Sequence, residues 1–232
     1  MTFSEKIQLR KDILALFWAD YPLEDFYNVY SCDPYFKKIF SALNGLRVMK
    51  PGNISWSLIE AICSQNTTVE QVRKRNRLFR THYGQKVLFE DDDVFYTFPN
   101  LSTIAKLTEE ELREYCNVGY RAKYILNAAR AFTERELMSL KQMSSKTARR
   151  RLMQIKGIGP KVADVFLLYG LGMPDVFPMD VHLKRGLKRE YFHGRKVSKK
   201  TLRNFALEKF GTHAGFAHLH MFYWERHQEI SG

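Results

Sequence analysis

The chain has 232 residues, 45% hydrophobic and 14% aromatic, with 37 Lys+Arg against 25 Asp+Glu for a formal net charge of +12. That much apolar content supplies a core and argues against disorder, while the cationic excess points to a polyanionic partner, nucleic acid before an anionic membrane surface. No apolar run approaches the roughly 18 residues of a membrane span, and the start of the chain lacks the basic-then-apolar order of a secretory leader. Cys32, Cys63 and Cys116 lie too far apart for a disulfide scaffold, a cysteine zinc site or a four-cysteine iron–sulfur cluster. We therefore expect a soluble intracellular protein with reduced thiols, cytoplasmic or nucleoid-associated in a prokaryote, and no membrane contact.

Helical periodicity dominates from the start. Ile7, Ile13, Leu16 and Phe17 suit one helix, and Tyr35, Phe36, Ile39, Phe40 and Leu43 a second. Pro51-Gly52-Asn53 breaks the chain before an apolar helix from Trp56 to Cys63. Another helix is expected from Thr68 to Tyr83, stopped by Gly84. Residues 89–99, with an acidic run over 90–93, read as an irregular connection turned away from a polyanion. Thr108 and Glu111 have capping-box spacing, in which hydroxyl and carboxylate satisfy each other's free amides. Tyr120 to Leu137 reads as one longer helix. Strand signals are few and short and no repeat is present, so the expected fold is all-α in two lobes. One lobe would span 52–150, and the other would join 1–51 to 151–232 and carry the segment 152–172.

That segment is the informative one. A basic helix (Lys146, Arg149, Arg150, Arg151) runs toward Gly157-Ile158-Gly159, and Pro160 opens a second helix. Proline suits a first helical position, where its missing amide would be unpaired anyway. Two glycines flanking one apolar residue permit a tight hairpin whose amides reach a phosphate while Ile158 pins the turn to the core. The pattern is a helix-hairpin-helix, a sequence-independent grip on a nucleic-acid backbone, although an isolated G-x-G is also an ordinary turn. Lys161 falls in the first turn of the second helix and Lys156 just before the hairpin. After Gly170-Leu-Gly-Met-Pro174 the chain returns through Asp180-Val-His182, with Asp180 placed to cap another helix. Taken singly, Lys161 also reads as a solvated cation and Asp180 as a plain cap.

Together these residues carry a resemblance. Lys161-Val-Ala-Asp164, followed nineteen positions after the lysine by Asp180-Val-His182, resembles the helix-hairpin-helix DNA glycosylase superfamily, and within it the 8-oxoguanine DNA glycosylase/AP lyases. The likeness runs from Asn53 to Trp224. It includes Ala61-Ile-Cys-Ser-Gln-Asn66, Gly119-Tyr-Arg-Ala122 and Ala214-Gly-Phe-Ala217 with Phe222. The resemblance implies a helical glycosylase fold without an iron–sulfur cluster, a damaged base in duplex DNA as substrate, no cofactor and a monomer. It implies that Lys161 is the nucleophile and Asp180 the carboxylate that stabilises charge developing on the sugar. Lys156, Gly157, Ile158, Gly159 and His182 would hold backbone phosphates. Asn66 would enter the hole left by the flipped base, Tyr120 and Arg121 would wedge against the widowed partner base, and Val165, His218 and Phe222 would line the base pocket.

The sequence departs from that family at several positions. Lys156 stands where proline usually precedes the hairpin, Val165 where a cysteine commonly packs on the base, and His218 where a glutamine usually reads the base edge. The first 50 residues hold no match to the β-rich domain of the larger animal enzymes. A glycosylase/lyase for oxidised pyrimidines and a non-catalytic helix-hairpin-helix DNA-binding module therefore stand as alternatives. His213, His220 and His227 share a heptad spacing, but without nearby cysteines or ordered carboxylates we expect no metal there.

Overall fold

Side-chain caps set where most of the helices begin. The structure, a computed structural model, describes residues 2–50, 52–89 and 93–231, with side chains to residue 228. In chain order the helices are α1 Phe3–Leu16, α2 Leu23–Tyr30, α3 Pro34–Leu43, α4 Ile54–Cys63, α5 Val69–Tyr83, α6 Leu101–Ile104, α7 Glu109–Cys116 and α8 Ala122–Ala131. They continue as α9 Glu134–Ser139, α10 Ser145–Leu152, α11 Pro160–Val165, α12 Val181–Phe192, α13 Lys199–Phe210 and α14 Ala214–Ser231. Thr2, Thr108 and Thr133 open α1, α7 and α9 with full capping boxes. Asp33, Asn53, Thr68, Asn100, Ser144, Asp180 and Ser198 cap seven others by accepting from an amide of the first turn. Among the described residues no helix is long and apolar enough to cross a membrane.

The all-α expectation holds with one small exception. Within 89–99, expected to be irregular, Val94–Tyr96 (β2) pairs antiparallel with Lys86–Leu88 (β1). Residues 90–92 of the acidic run lie outside the described residues. The expected helix 120–137 is two helices, because Phe132 turns extended and the Thr133 box starts α9. Gly84 does end α5, for a packing reason: a Cβ there would lie 2.0 Å from the Thr97 carbonyl oxygen. Ile7, Ile13 and Phe17 fall on α1 or its end as expected but are 42–47% exposed.

The chain divides into two units, Met1–Lys50 with Gly172–Gly232, and Pro51–Leu171. The boundary therefore falls after the hairpin and not before it, and 152–171 belongs with the central residues. The cause is packing. α11 and the π-helical turn after it (Phe166–Gly170) lie against α4, and Arg149 of α10 bonds Asp164 of α11 at 2.8 Å. In the central unit α4 is the buried axis, with Leu58, Ile59, Ala61, Ile62 and Cys63 fully covered. Glu134 ties α4, α6 and α9 together by accepting from Ser55 Oγ at 2.6 Å and Leu101 N at 2.7 Å.

The other unit packs α3, α12 and α13 around α14 over an aromatic core. Phe26, Phe36, Phe210 and Phe216 are fully buried there, and Tyr21 stacks on Phe216 at 3.6 Å. Its polar interior is matched group to group. Glu225 accepts from Tyr35 Oη at 2.5 Å and from Arg189 at 2.7 and 3.1 Å, while Asp33 accepts from Tyr191 Oη and Lys209 Nζ.

Candidate active site and DNA-facing turn

The hairpin forms where the glycine spacing places it, but its two glycines do different work. Gly157 has φ +106°, and a Cβ there would lie 2.3–2.5 Å from the root of the Tyr124 side chain. Only glycine satisfies both conditions. Gly159 has an ordinary φ of −86°, caps α11, and has open space where a Cβ would be. Ile158 is 4% exposed, the expected pin. Lys156 is exposed, and its carbonyl accepts from Asn127 Nδ2 at 3.1 Å. The first turn of α11, with Lys156 and Lys161 beside it, is the kind of place that suits an anion.

Lys161 is the second residue of α11, half-buried, with Nζ 3.5 Å from the Ser64 carbonyl oxygen just beyond α4. The basic neighbourhood expected around it is thinner than its sequence suggests: the Arg149 guanidinium is committed to Asp164, a carboxylate 1% exposed. Val165 ends α11, partly covered.

The Asn66 turn adjoins the lysine in this same unit. Asn66 is exposed, sits in the left-handed region at φ +44°, and donates from Nδ2 to Tyr120 Oη at 3.3 Å. Asparagine tolerates that backbone better than most residues. Tyr120 is 49% exposed, so this pair presents a polar and an aromatic group outward together. Arg121 does not join them. It is 5% exposed, and its guanidinium donates to the Gln65, Asn66 and Val118 carbonyls. Of the expected wedge pair, Tyr120 faces outward beside Asn66, whereas Arg121 is buried beneath them. Arg75, which the sequence did not single out, is also buried in this network.

The remaining predicted residues belong to the other unit. Asp180 caps α12 as expected, Oδ1 accepting from Leu183 N at 2.9 Å. His182 lies one residue into α12, near Arg185 (3.3 Å) and edge-on to Phe222 at 6.2 Å. Phe222 is partly exposed and stacks on His218 at 6.0 Å. His218 itself is 5% exposed, flanked on its other side by Phe177. Phe222 and His182 thus share a face, with His218 covered beneath. His213 and His220 have partners in the core: Tyr21 Oη for the first, the Phe216 carbonyl and Tyr27 Oη for the second. Burial pulls the His220 imidazole down to about 4. Among the described residues no group of three or more His, Cys, Asp or Glu is placed to hold a metal ion.

Comparison with known proteins gives a consistent result. The chain is 28% identical to the probable N-glycosylase/DNA lyase of Methanothermobacter thermautotrophicus, over 92% of this chain and 74% of that protein. It is 32% identical to the N-glycosylase/DNA lyase of Saccharomyces cerevisiae over 66% of this chain, which spans only 44% of the yeast protein. Among solved structures, the Clostridium acetobutylicum 8-oxoguanine glycosylase/lyase bound to DNA with cytosine opposite 8-oxoG superposes with a TM-score of 0.86 at 27% identity. That match covers 93% of this chain and 74% of that one. Residues 59–211 match the model of the HhH-GPD superfamily base excision DNA repair proteins. That match takes in the hairpin, Lys161 and Asp180, and the chain belongs to this superfamily.

Proposed function

We infer that this chain is a base-excision DNA glycosylase with AP lyase activity that removes 8-oxoguanine from duplex DNA. The observation that carries the reading is the lysine: Lys161 lies in the first turn of α11 directly behind the hairpin proposed to bind phosphate, where backbone grip alone requires no amine. The matched relatives and the superposed structure support the substrate class. A base stacked in a duplex is out of reach, so it is extruded and the gap filled, the role we give to Asn66 with Tyr120.

The neutral Lys161 amine attacks C1′ of the damaged nucleotide. The N–C1′ bond forms, the glycosidic bond breaks, and its electron pair leaves with the base. The attached amine gives up one proton, which the departing base takes, and breaking of the C1′–O4′ bond, its electron pair going to O4′, leaves a protonated Schiff base. Removal of a C2′ proton then expels the 3′ phosphate by β-elimination. We assign the Asp180 carboxylate to stabilising positive charge on the sugar, His182 to a backbone phosphate, and Phe222 with Val165 to the face of the extruded base. The chain works as a monomer with no cofactor.

Borohydride reduction during turnover on a duplex with 8-oxoguanine opposite cytosine should trap a covalent protein–DNA adduct that Lys161→Gln abolishes. An adduct undiminished in Lys161→Gln would overturn the mechanism. Asp180→Asn should bind the duplex normally and lose excision, and a variant that excises at the wild-type rate would remove Asp180 from the reaction. A panel of duplexes carrying oxidised pyrimidines tests the substrate, because faster release of any of them than of 8-oxoguanine refutes the assignment.

A further inference from the structure

Four consecutive carbonyls at the end of α4 each take a cationic donor. Arg75 Nη1 lies 3.2 Å from Cys63 O, and Lys161 Nζ lies 3.5 Å from Ser64 O. Arg121 Nε lies 3.0 Å from Gln65 O, and its Nη2 bonds Gln65 O and also Asn66 O, the latter at 3.1 Å. Arg75 extends the array, donating to Thr67 Oγ1 at 2.9 Å and from Nε to Asn117 O at 3.0 Å. The Cys63 carbonyl ends α4 and the other three belong to the turn that follows, where the negative end of the helix dipole suits cations.

The arrangement is costly for what it satisfies. Arg75 and Arg121 are 8% and 5% exposed, and among the described residues neither forms an ion pair. Burial, and then the charge of Arg121, pull the Arg75 guanidinium below its usual range. Two buried like charges without a carboxylate are expensive, and capping one turn needs no more than water or a neutral donor. What the pair adds is geometry. A guanidinium is a rigid fork, and these two hold every carbonyl from Cys63 to Asn66 except that of Ser64, which faces Lys161. The Gln65 side chain continues the linkage, donating from Nε2 to Ile62 O at 3.1 Å and to Gly157 O of the hairpin at 3.3 Å.

We propose that Arg75 and Arg121 are positioning residues. They clamp the carbonyls of residues 63–66 from below, so that the turn keeps Asn66 in its left-handed conformation and presents its side chain, with Tyr120, to the gap left by the extruded base. Arg121 then acts on DNA through Asn66 and does not read the widowed base. This inference rests on the glycosylase reading above.

The test is single-turnover kinetics on two duplexes, one with 8-oxoguanine and one with a preformed abasic site, whose extrusion is cheaper. Arg75→Met should slow base excision by ~10-fold and leave abasic-site incision within ~2-fold, because Lys161 retains its chemistry. Arg75→Lys, which keeps a donor for Cys63 O, should recover most of the loss. In the Asn66→Ala background Arg75→Met should add no more than ~2-fold, since both changes disable one element. Arg121→Met should slow excision equally whichever base stands opposite the lesion. Equal loss on both duplexes, additivity with Asn66→Ala, or an Arg121→Met effect that depends on the opposite base would each overturn the proposal. A wild-type protein that excises nothing would fail the glycosylase reading itself, whereas an active wild type matched by its arginine variants fails only this one.

Discussion

The two glycines of the hairpin should separate stability from DNA binding. At Gly157 an alanine faces two penalties. Its φ of +106° is one that side chains rarely adopt, at ~1–2 kcal/mol for an L residue in the left-handed half of the map. Its Cβ would also fall 2.3 Å from Tyr124 Cγ and 2.4 Å from Tyr124 Cβ. Those atoms sit at the root of a side chain on α8 and cannot swing clear, so the hairpin backbone must shift, at ~1–3 kcal/mol for overpacking. Gly157→Ala should therefore cost about 2–5 kcal/mol in urea unfolding and displace the hairpin backbone proposed to meet a phosphate. Gly159→Ala meets neither obstacle, since its φ is −86° and nothing lies within 4 Å. It should cost under about 1 kcal/mol, the difference between glycine and alanine as a cap. Under the proposed phosphate grip its methyl group would nevertheless stand in the open space before the α11 start. Loss of one hydrogen bond to a charged group, ~1.5–3 kcal/mol, should weaken duplex binding by ~10-fold or more. Gly157→Ala costing less than ~1 kcal/mol would refute the packing argument. Gly159→Ala binding DNA like the wild type would refute the phosphate grip.

Two further expectations follow from buried groups. His220 is fully buried, and its pKa falls from 6.5 to about 4 on folding. The folded value is the lower one, so the unfolded chain takes up the proton first. The neutral ring therefore contributes stability above pH ~6.5 that is lost as pH falls toward ~4, with a ceiling of ~3 kcal/mol. Unfolding free energies of wild type and His220→Asn should converge by several tenths to ~3 kcal/mol between pH 7 and 4.5, and a pH-independent gap between the two would contradict the burial. For the thiols, burial pushes Cys63 and Cys116 up to about 12 while Cys32 is exposed. Maleimide should label one thiol in the native protein and three in urea, and rapid native labelling of a second would show that α4 or α7 opens.

What the sequence revealed divides by where each interaction has its partner. Capping boxes, the glycine spacing, the proline at the start of α11 and the Asp180 cap all have partners within a few residues, so a local pattern announces them. The β-hairpin was missed because its strands are three residues each and exposed throughout, leaving no alternation to read. The unit boundary was misplaced because the partner that places α11 and the turn after it is α4, far earlier in the chain. What holds α10 to the central unit is Asp164 and the packing of α11 on α4.

The arginines show the limit most sharply. Gly119-Tyr-Arg121 reads as a surface turn offering two side chains to DNA, yet two of the three carbonyls that Arg121 bonds lie 55 and 56 residues earlier. Every residue carries a carbonyl, so such a socket leaves no mark on the sequence, and Arg75 was invisible for the same reason. The charge count shares this weakness. Fifteen Lys+Arg against four acids between Lys146 and Arg203 account for +11 of the chain's +12, but the structure distributes them over two units. It also pairs Arg149 with Asp164 and Arg189 with Glu190 and Glu225. A cation already paired inside the protein releases no counterion from DNA, so the salt dependence of binding should reflect the exposed cations alone, Lys156 among them.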